Sequence, residues 1–259
     1  MSMVNNKVIS VVNQKGGVGK TTTAVNLSTA LAAIGKKILL VDLDPQGNLS
    51  TGLGFNYNKR EVTIYDIIKD NNLKTIDAIN QTKIPGLNII LSSINLSGIE
   101  FELAVDSDKN KKLINKISSI KKEYDYIIID CPPSLGILTV NSLVASNSLL
   151  VPLQCEFYAL EGLAQLLRTV ETIKTNLNKS LYLEGIILTM YDSRNRLSED
   201  VISDARSHLG NKVFKTIIPR NVRLSEAPSH GLPAILYDRK CMGSLAYIEL
   251  AREFLEREN

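Results

Sequence analysis

Short apolar runs alternate along the chain with longer amphipathic runs. The short runs are rich in Ile, Val and Leu and mostly lack polar alternation, as is typical of strands buried on both faces of a parallel sheet. They are Lys7–Val12, Lys37–Asp42, Leu87–Leu91, Tyr126–Asp130, Ser148–Leu153, Glu184–Met190 and Lys212–Ile218. The helix-like runs between and after them are Lys20–Ile34, Lys109–Lys122, Tyr158–Asn176, Ser198–Leu209 and Gly243–Arg257. This order predicts an α/β fold, with a doubly wound, mostly parallel sheet flanked by helices on both faces.

Nothing in the composition divides the chain. We find no linker, low-complexity tract or repeat, so residues 1–259 are expected to form a single domain with a well-buried core. The cysteines, Cys131, Cys155 and Cys241, include no C-x-x-C pair, which argues against a disulfide framework or a zinc site. No stretch approaches the ~18 apolar residues of a membrane span. The sequence therefore predicts a soluble cytoplasmic protein.

The stretch Val11–Thr23, VVNQKGGVGKTTT, resembles a phosphate-binding loop, because it follows an apolar strand and opens a helix. Gly16, Gly17 and Gly19 have no Cβ to obstruct backbone N–H groups that turn towards phosphate oxygens. The strict pattern G-x-x-x-x-G-K-[ST] nevertheless fails, because Gln14 occupies its first glycine position. We therefore predict a phosphate-binding loop that departs from the standard pattern.

Two lysines and a threonine provide the chemistry of this loop. Lys20 is expected to reach the β- and γ-phosphates of a nucleotide, and Thr21 to offer its hydroxyl to Mg²⁺. Lys15 has no place in the strict pattern. It is either a solvated lysine at the loop rim or a charge directed at the nucleotide of a facing subunit. Charge supplied in trans to a transferring phosphoryl group can raise the rate ~10³–10⁵-fold.

Three aspartates lie at the carboxyl ends of predicted strands. Asp130 ends an apolar strand near the loop, where a carboxylate that holds Mg²⁺ through water is expected, although an ordinary strand-end aspartate is the alternative. Asp42 and Asp44 end the second strand, and a period of two directs both to one side. Pro45 and Gly47 then begin a loop. Asp42 either shapes the site or only caps that loop.

Four motifs in chain order resemble the ParA/MinD family of ATPases. They are KGGVGKTTT (15–23), VDLDPQGN (41–48), IIIDCPPSLG (127–136) and IPRNVRLSEAPSHG (218–231). The first is similar to the deviant Walker A motif of that family, and the others are similar to its ParA/Soj partitioning branch. The resemblance runs from about Lys7 to the last helix and implies the fold of a deviant P-loop NTPase.

The resemblance implies specific roles. Lys15 matches the signature lysine that crosses an ATP-sandwiched dimer to the other subunit's phosphates, and Asp44 matches the switch I residue that orients or activates the attacking water. Lys15, Lys20 and Asp44 are thus the expected catalytic residues, and the expected metal ligands are Thr21, Asp44 and Asp130. The expected nucleotide contacts in the loop are Lys15, Gly16, Gly17, Val18, Gly19, Lys20, Thr21 and Thr22.

Two C-terminal segments complete the expected sites. By resemblance, Pro219 and Asn221 lie against the adenine, although sequence alone would describe a turn. Nine Lys or Arg oppose six acidic residues between positions 190 and 240, so the weak positive charge of the chain, +3 overall, is concentrated there. In the family, arginines of this region bind DNA without sequence preference, whereas a solvated basic face is the alternative. The corresponding residues are Arg194, Arg223, Arg196 and Arg220.

The expected activity is slow, partner-stimulated ATP hydrolysis with ATP and Mg²⁺ as cofactors. The resemblance implies that an ATP-bound homodimer binds double-stranded DNA nonspecifically and is nucleoid-associated in the cytoplasm. A ParB-type centromere-binding protein is expected to stimulate hydrolysis and so release the DNA. No membrane contact is expected. Such a protein segregates chromosomes or plasmids, and the sequence does not distinguish the two.

Three other functions compete with this interpretation. A MinD-like membrane-cycling positioning ATPase carries a basic amphipathic C-terminal helix, but here four Glu oppose two Arg between Glu249 and Glu258. Nitrogenase-reductase relatives hold an iron–sulfur cluster with two cysteines per subunit, but Cys131 directly follows Asp130, which favours a structural role. A DNA-binding scaffold that holds ATP without turnover leaves Asp44 unexplained.

Overall fold

All strands of the computed structural model, which describes residues 6–258, belong to one sheet in the order β3-β4-β2-β5-β1-β6-β7-β8. Neighbouring strands run parallel except β3, which pairs antiparallel with β4 at one edge. The strands are β1 (Lys7–Val11), β2 (Ile38–Asp42), β3 (Ile79–Gln81), β4 (Leu87–Ile90), β5 (Tyr126–Asp130), β6 (Ser148–Gln154), β7 (Tyr182–Tyr191) and β8 (Val213–Pro219). The predicted mostly parallel sheet is confirmed.

Helices of very different lengths connect these strands. The long ones are α1 (Lys20–Ala33), α7 (Ala159–Asn176), α8 (Arg196–Leu209) and α11 (Met242–Glu258). The shorter ones are α2 (Asn48–Gly52), α3 (Ile64–Lys69), α4 (Ile99–Glu102), α5 (Lys112–Ile117), α6 (Ile137–Ala145), α9 (Val222–Glu226) and α10 (Ala234–Tyr237). Several single 3-10 turns join them.

The sheet separates two hydrophobic cores. Alternate residues of one strand contribute to opposite cores: in β5, Ile127 and Ile129 face one side, whereas Tyr126 and Ile128 face the other. Helices α3, α5, α6, α7 and α8 cover the first side, and α1 and α11 cover the second. The continuous apolar runs of the sequence are explained by this burial on both faces, which confirms the doubly wound arrangement.

Several elements differ from the sequence-based expectation. The helix predicted over Lys109–Lys122 is reduced to α5, because the hydroxyl groups of Ser118 and Ser119 bind the carbonyls of Ile114 and Lys116 and compete with helical bonding. The short edge strand β3 and the shorter helices α2, α3, α4, α6, α9 and α10 were not predicted. The remaining predicted helices are present, and their ends differ from the predicted ones by at most two residues.

Strand β1 lies between β5 and β6, at the point where the strand order reverses direction. The chain leaves β1 for α1 and β2 on one side, and it later leaves β5 for β6 on the other side. A crevice opens at the carboxyl ends of the strands at such a point. The loop between β1 and α1 and the loops after β2 and β5 all start at this edge.

Candidate nucleotide-binding site

The loop that joins β1 to α1 adopts a conformation that depends on glycine. Gly17 and Gly19 have φ values of +74° and +90°, in the left-handed region that favours glycine. Gly19 immediately precedes the first residue of α1, so the loop presents its backbone at a helix N-terminus, where anions bind favourably. Together with Lys20 and Thr21 it lines a cleft of about 580 Å³.

Lys20 is buried within this loop. Its Nζ donates a hydrogen bond to the carbonyl of Lys15 at 3.0 Å, and the residue is only 7% exposed. Burial lowers the pKa of Lys20, and the nearby Asp130 carboxylate opposes that shift. The ammonium group therefore lies where the sequence predicted a contact with phosphate oxygens, inside its own loop.

Thr21 lines the cleft and contacts Asp130, which is buried behind the lining. The Thr21 hydroxyl donates to Oδ2 of Asp130 at 2.7 Å, whereas Oδ1 is buried and has no hydrogen-bond partner within residues 6–258. Burial raises the pKa of Asp130 well above its usual range, with the Asp42 carboxylate adding to the shift. A hydroxyl beside a buried carboxylate with a free oxygen suits a hard cation such as Mg²⁺, so these residues fit the predicted metal site.

Asp44 faces the same cleft as Lys20, at the start of the loop after β2. Its Oδ1 accepts a hydrogen bond from the backbone N–H of Gln46 at 2.9 Å, which fixes the orientation of the carboxylate. The predicted placement of Asp44 beside the phosphate loop agrees with this geometry. Its predicted catalytic and metal-binding roles stay predictions.

Asp42 does not face the cleft. It is fully buried, and its Oδ2 accepts from the N–H and the hydroxyl of Ser50 at 2.8 and 2.6 Å. Burial raises the pKa of Asp42 to about 6. Of the two roles left open by the sequence, the structure favours the anchoring one, because the carboxylate holds α2 and the loop that carries Asp44.

Lys15 lies at the rim of the loop, in contrast to Lys20. Its ammonium group forms an ion pair with Glu156 of the same chain, and the two side chains are 49% and 44% exposed. Two large aromatic residues follow Glu156: Phe157 and Tyr158 are each 70% exposed and pack edge to face with ring centroids 5.0 Å apart. The second lysine is therefore available at the surface, next to an exposed apolar pair.

A second cleft of about 270 Å³ adjoins the loop and contains both predicted adenine contacts. Pro219 ends β8, and the side chain of Asn221 caps α9 by accepting from the N–H of Arg223 at 3.0 Å. The structure brings both residues to Thr22 of the phosphate loop. It also adds Met190, which lines both clefts with a φ of +53° that no sequence pattern indicated.

The four predicted DNA-contacting arginines lie on two adjacent segments. Arg194 and Arg196 follow β7, whereas Arg220 and Arg223 follow β8, and the N–H of Arg220 donates to the carbonyl of Tyr191 at 2.9 Å. All four side chains are exposed. Arg194 pairs with Asp192, and Arg223 pairs with Glu226, but exposed ion pairs are weak and leave the guanidinium groups available.

The C-terminal helix and the cysteines bear on the competing functions. The apolar face of α11, including Tyr247, Leu250 and Phe254, is buried in the core and is not available to a lipid surface. No helix within residues 6–258 is long and apolar enough to cross a membrane. Cys131 and Cys155 are buried, and burial raises the pKa of their thiols to about 12 and about 11. Neither thiol is an exposed cluster ligand.

A glycine-dependent loop between a central parallel strand and a helix, with a buried lysine and a threonine–aspartate pair, defines a P-loop nucleotide-binding protein of the deviant class. A family model described as an AAA domain matches residues 6–183. The chromosome partitioning protein ParA of Caulobacter vibrioides is 52% identical over 254 residues, covering 97% of this chain and 95% of the relative.

A second relative, the chromosome-partitioning ATPase Soj of Treponema pallidum, is 50% identical over 252 residues, covering 97% of this chain and 98% of the relative. A solved structure described as cobyrinic acid a,c-diamide synthase from Mycobacterium smegmatis, with bound ATP analogue and magnesium, superposes with a TM-score of 0.87. It is 36% identical, with 98% of this chain and 95% of that chain covered. The chain belongs to the ParA/Soj family of partitioning ATPases.

Proposed function

We propose that the chain is an ATP-dependent DNA-partitioning ATPase that acts as a nucleotide-switched homodimer. The observation that carries this proposal is the contrast between the two lysines. Lys20 is buried and bonded within its own loop, whereas the side chain of Lys15 is half exposed at the rim and forms a surface ion pair. One lysine serves the bound nucleotide, and the other is free to serve the nucleotide of a facing subunit.

Different residues at the cleft have different roles in ATP hydrolysis. Lys20 and the loop backbone bind the phosphates of ATP, and Asp44 orients the attacking water. Thr21, Asp130 and Asp44 would hold Mg²⁺. The cation neutralises charge on the β- and γ-phosphates when bound. Pro219 and Asn221 contact the adenine.

Dimerisation follows from the trans contact. Lys15 reaches the phosphates of the facing subunit only when ATP is bound, so the γ-phosphate favours the dimer. The exposed Phe157 and Tyr158 support this role, because exposed apolar groups beside the rim lysine are suited to burial against a second copy. Arg194, Arg196, Arg220 and Arg223 of both subunits bind DNA phosphates without reading bases.

Hydrolysis ends the DNA-bound state. In this proposal turnover is slow until a ParB-type centromere-binding protein stimulates it, after which the subunits separate and leave the nucleoid. The protein thereby alternates between a nucleoid-associated dimer and a cytoplasmic monomer. A membrane-cycling role is the less supported alternative, because the apolar face of α11 is buried.

Binding to an arbitrary DNA duplex tests this proposal. We expect binding with MgATP but not with ADP or without nucleotide, and a steep loss of affinity as salt rises, because phosphate contacts release counterions. Arg223→Glu should weaken binding at least ~10-fold at moderate salt. Arg252→Glu, on an exposed position of α11, is the matched control and should bind as wild type.

A protein that binds DNA equally in all nucleotide states would contradict the switch. Failure of the wild type to bind DNA in any state would contradict the partitioning role, and binding to anionic liposomes would then be measured. Equal losses for Arg223→Glu and Arg252→Glu would show that net charge, rather than the predicted arginine surface, controls the interaction.

A further inference from the structure

The loop that carries Asp44, residues 43–47, is held by a chain of hydrogen bonds on the side that faces the protein interior. Ser92, which is fully buried, donates its hydroxyl to the carbonyl of Asp44. The N–H of Ser92 donates to the hydroxyl of Ser50 at 3.1 Å, and that hydroxyl donates to Asp42 at 2.6 Å. The backbone of the loop is thus tied to both β2 and the segment after β4.

Arg60 completes this support from outside the motif. Its Nη1 donates to the carbonyl of Ser92 at 3.0 Å, and its Nη2 donates to the hydroxyl of Thr51 at 2.9 Å. The same Nη2 lies 3.4 Å from the carbonyls of Gly47 and Phe55. One planar guanidinium therefore joins the loop, the helix that follows it and the support provided by Ser92.

The absence of a side chain at Gly47 leaves room for this guanidinium. Its φ of +63° is in the left-handed region, and a Cβ at this position would lie 2.5 Å from Nη1 of Arg60. The Nε of Arg60 is buried without a partner in the described part of the chain, and its guanidinium lies 5.1 Å from the Tyr57 ring centroid. The guanidinium group of Arg60 is planar and presents its N–H donors in fixed directions. Because several of these donors bind the loop and its neighbours, the group restricts the conformation of the loop.

We propose that Arg60 is a positioning residue for hydrolysis, which sets the orientation of Asp44 by fixing the backbone of residues 43–47. It does not touch the nucleotide cleft, whose lining includes Asp44, Thr51 and Gly17 but not Arg60. This inference rests on the proposed role of Asp44 in orienting water. A displacement of about 1 Å in a reacting group can reduce a rate ~10²-fold, so loss of this support is sufficient to slow the chemistry.

The test measures steady-state phosphate release with MgATP and DNA for Arg60→Ala, Arg60→Lys and the control Arg252→Ala. For Arg60→Ala we expect kcat to fall ~10–100-fold while KM for ATP changes less than ~3-fold, because the phosphate loop is untouched. Arg60→Lys should remain impaired, since an ammonium group cannot form the fork. Added guanidinium ion at millimolar concentration should restore part of the activity of Arg60→Ala only.

Thermal unfolding separates positioning from folding. A midpoint equal to that of the wild type shows that the kinetic effect of Arg60→Ala comes from positioning. If the midpoint falls, Arg60→Gln, which keeps a polar side chain but not the fork, should lower kcat ~3–10-fold at unchanged KM. Wild-type kcat in Arg60→Ala, or in Arg60→Gln if the former is destabilised, overturns the inference. An inactive wild type would instead contradict the proposed ATPase function.

Discussion

Asp130 and Asp42 occupy opposite positions of the paired strands β5 and β2, and both carboxylates are buried. Each has one oxygen without a hydrogen-bond partner in the region described by the structure. Two like charges at neighbouring buried positions disfavour the folded state. We infer that the two carboxylates lower the free energy of unfolding when no cation is bound, and that they are retained because a cation can bind beside Thr21.

Asp130→Asn tests that inference by removing one buried charge while keeping the side-chain shape. We expect the free energy of unfolding without nucleotide to rise by about 1–2 kcal/mol, because an amide is easier to bury than a carboxylate. The variant should also lose Mg²⁺-dependent ATP hydrolysis. Urea unfolding and an Mg²⁺ titration measure the two effects.

Asp200→Asn is the control, because Asp200 is exposed on α8 and should change neither quantity. A lower unfolding free energy for Asp130→Asn would show that the carboxylate stabilises the fold and would contradict the trade-off. Unchanged dependence on Mg²⁺ would contradict the assignment of Asp130 to the metal site.

Among individual residues, the sequence predicted the positions of those that belong to short local motifs. The loop glycines, Lys20 and Asp130 are found where a local pattern of strand, loop and helix predicts them. Arg60 and Met190 were missed because their positions near the site depend on parts of the chain that are distant in sequence. Arg60, for example, donates to the carbonyl of Ser92, 32 positions away. No local pattern encodes such a contact, and a positive φ at Met190 is set by the surrounding fold.

At the scale of elements, α11 is fastened to the edge strand β8 by one carboxylate. Glu253 accepts from the N–H groups of Lys215 and Thr216 at 2.7 and 2.8 Å, and from the Thr216 hydroxyl at 2.7 Å. Arg257 binds the same carboxylate at 2.7 Å and the carbonyl of Val213 at 2.8 Å. Strand β8 lies at the edge of the sheet, so these bonds satisfy donors that no neighbouring strand reaches.

Glu253→Gln is expected to lower the free energy of unfolding by about 1–3 kcal/mol at pH 7, because charge-assisted bonds are replaced by weaker ones. Burial alone would raise the pKa of Glu253, but its hydrogen bonds outweigh burial and lower the pKa below the usual range. A carboxylate with a lowered folded-state pKa stabilises above its unfolded pKa, and this stabilisation is lost as pH falls through the folded value.

Urea unfolding at pH 7 and at pH 3 measures this pH dependence. The difference between wild type and Glu253→Gln should shrink at the lower pH, whereas Glu249→Gln, at a more exposed position of the same helix, should change little. A difference that is the same at both pH values would show that the side chain contributes through packing rather than charge.

Helix α6 and strand β3 were missed for different physical reasons. In α6, seven of nine residues are buried, so the apolar and polar positions do not show a clear helical period. Strand β3 has only three residues and pairs antiparallel, so it is too short for any pattern to emerge. The seven predicted strands were confirmed, because burial on both faces produces continuous apolar runs that are bounded by polar loops.

At the scale of the whole molecule, the predicted functional residues all lie at the carboxyl edge of the sheet. The phosphate loop follows β1, Asp44 follows β2 and Asp130 ends β5. The arginine segments follow β7 and β8. Lys15 and its partner Glu156 lie at the same edge, after β1 and β6. A nucleotide bound at this edge would therefore lie close both to Lys15 and to the arginines of the proposed DNA-binding surface.

The mass of Asp44→Ala in MgATP, measured by light scattering, tests the central claim that Lys15 acts across two subunits. Slow hydrolysis in this variant should trap the ATP-bound state, so we predict a dimer with ATP and a monomer with ADP. Addition of Lys15→Ala to Asp44→Ala should restore the monomer in ATP, because the trans contact is lost. A monomer of Asp44→Ala in saturating ATP, or a dimer that is indifferent to Lys15, would contradict the account.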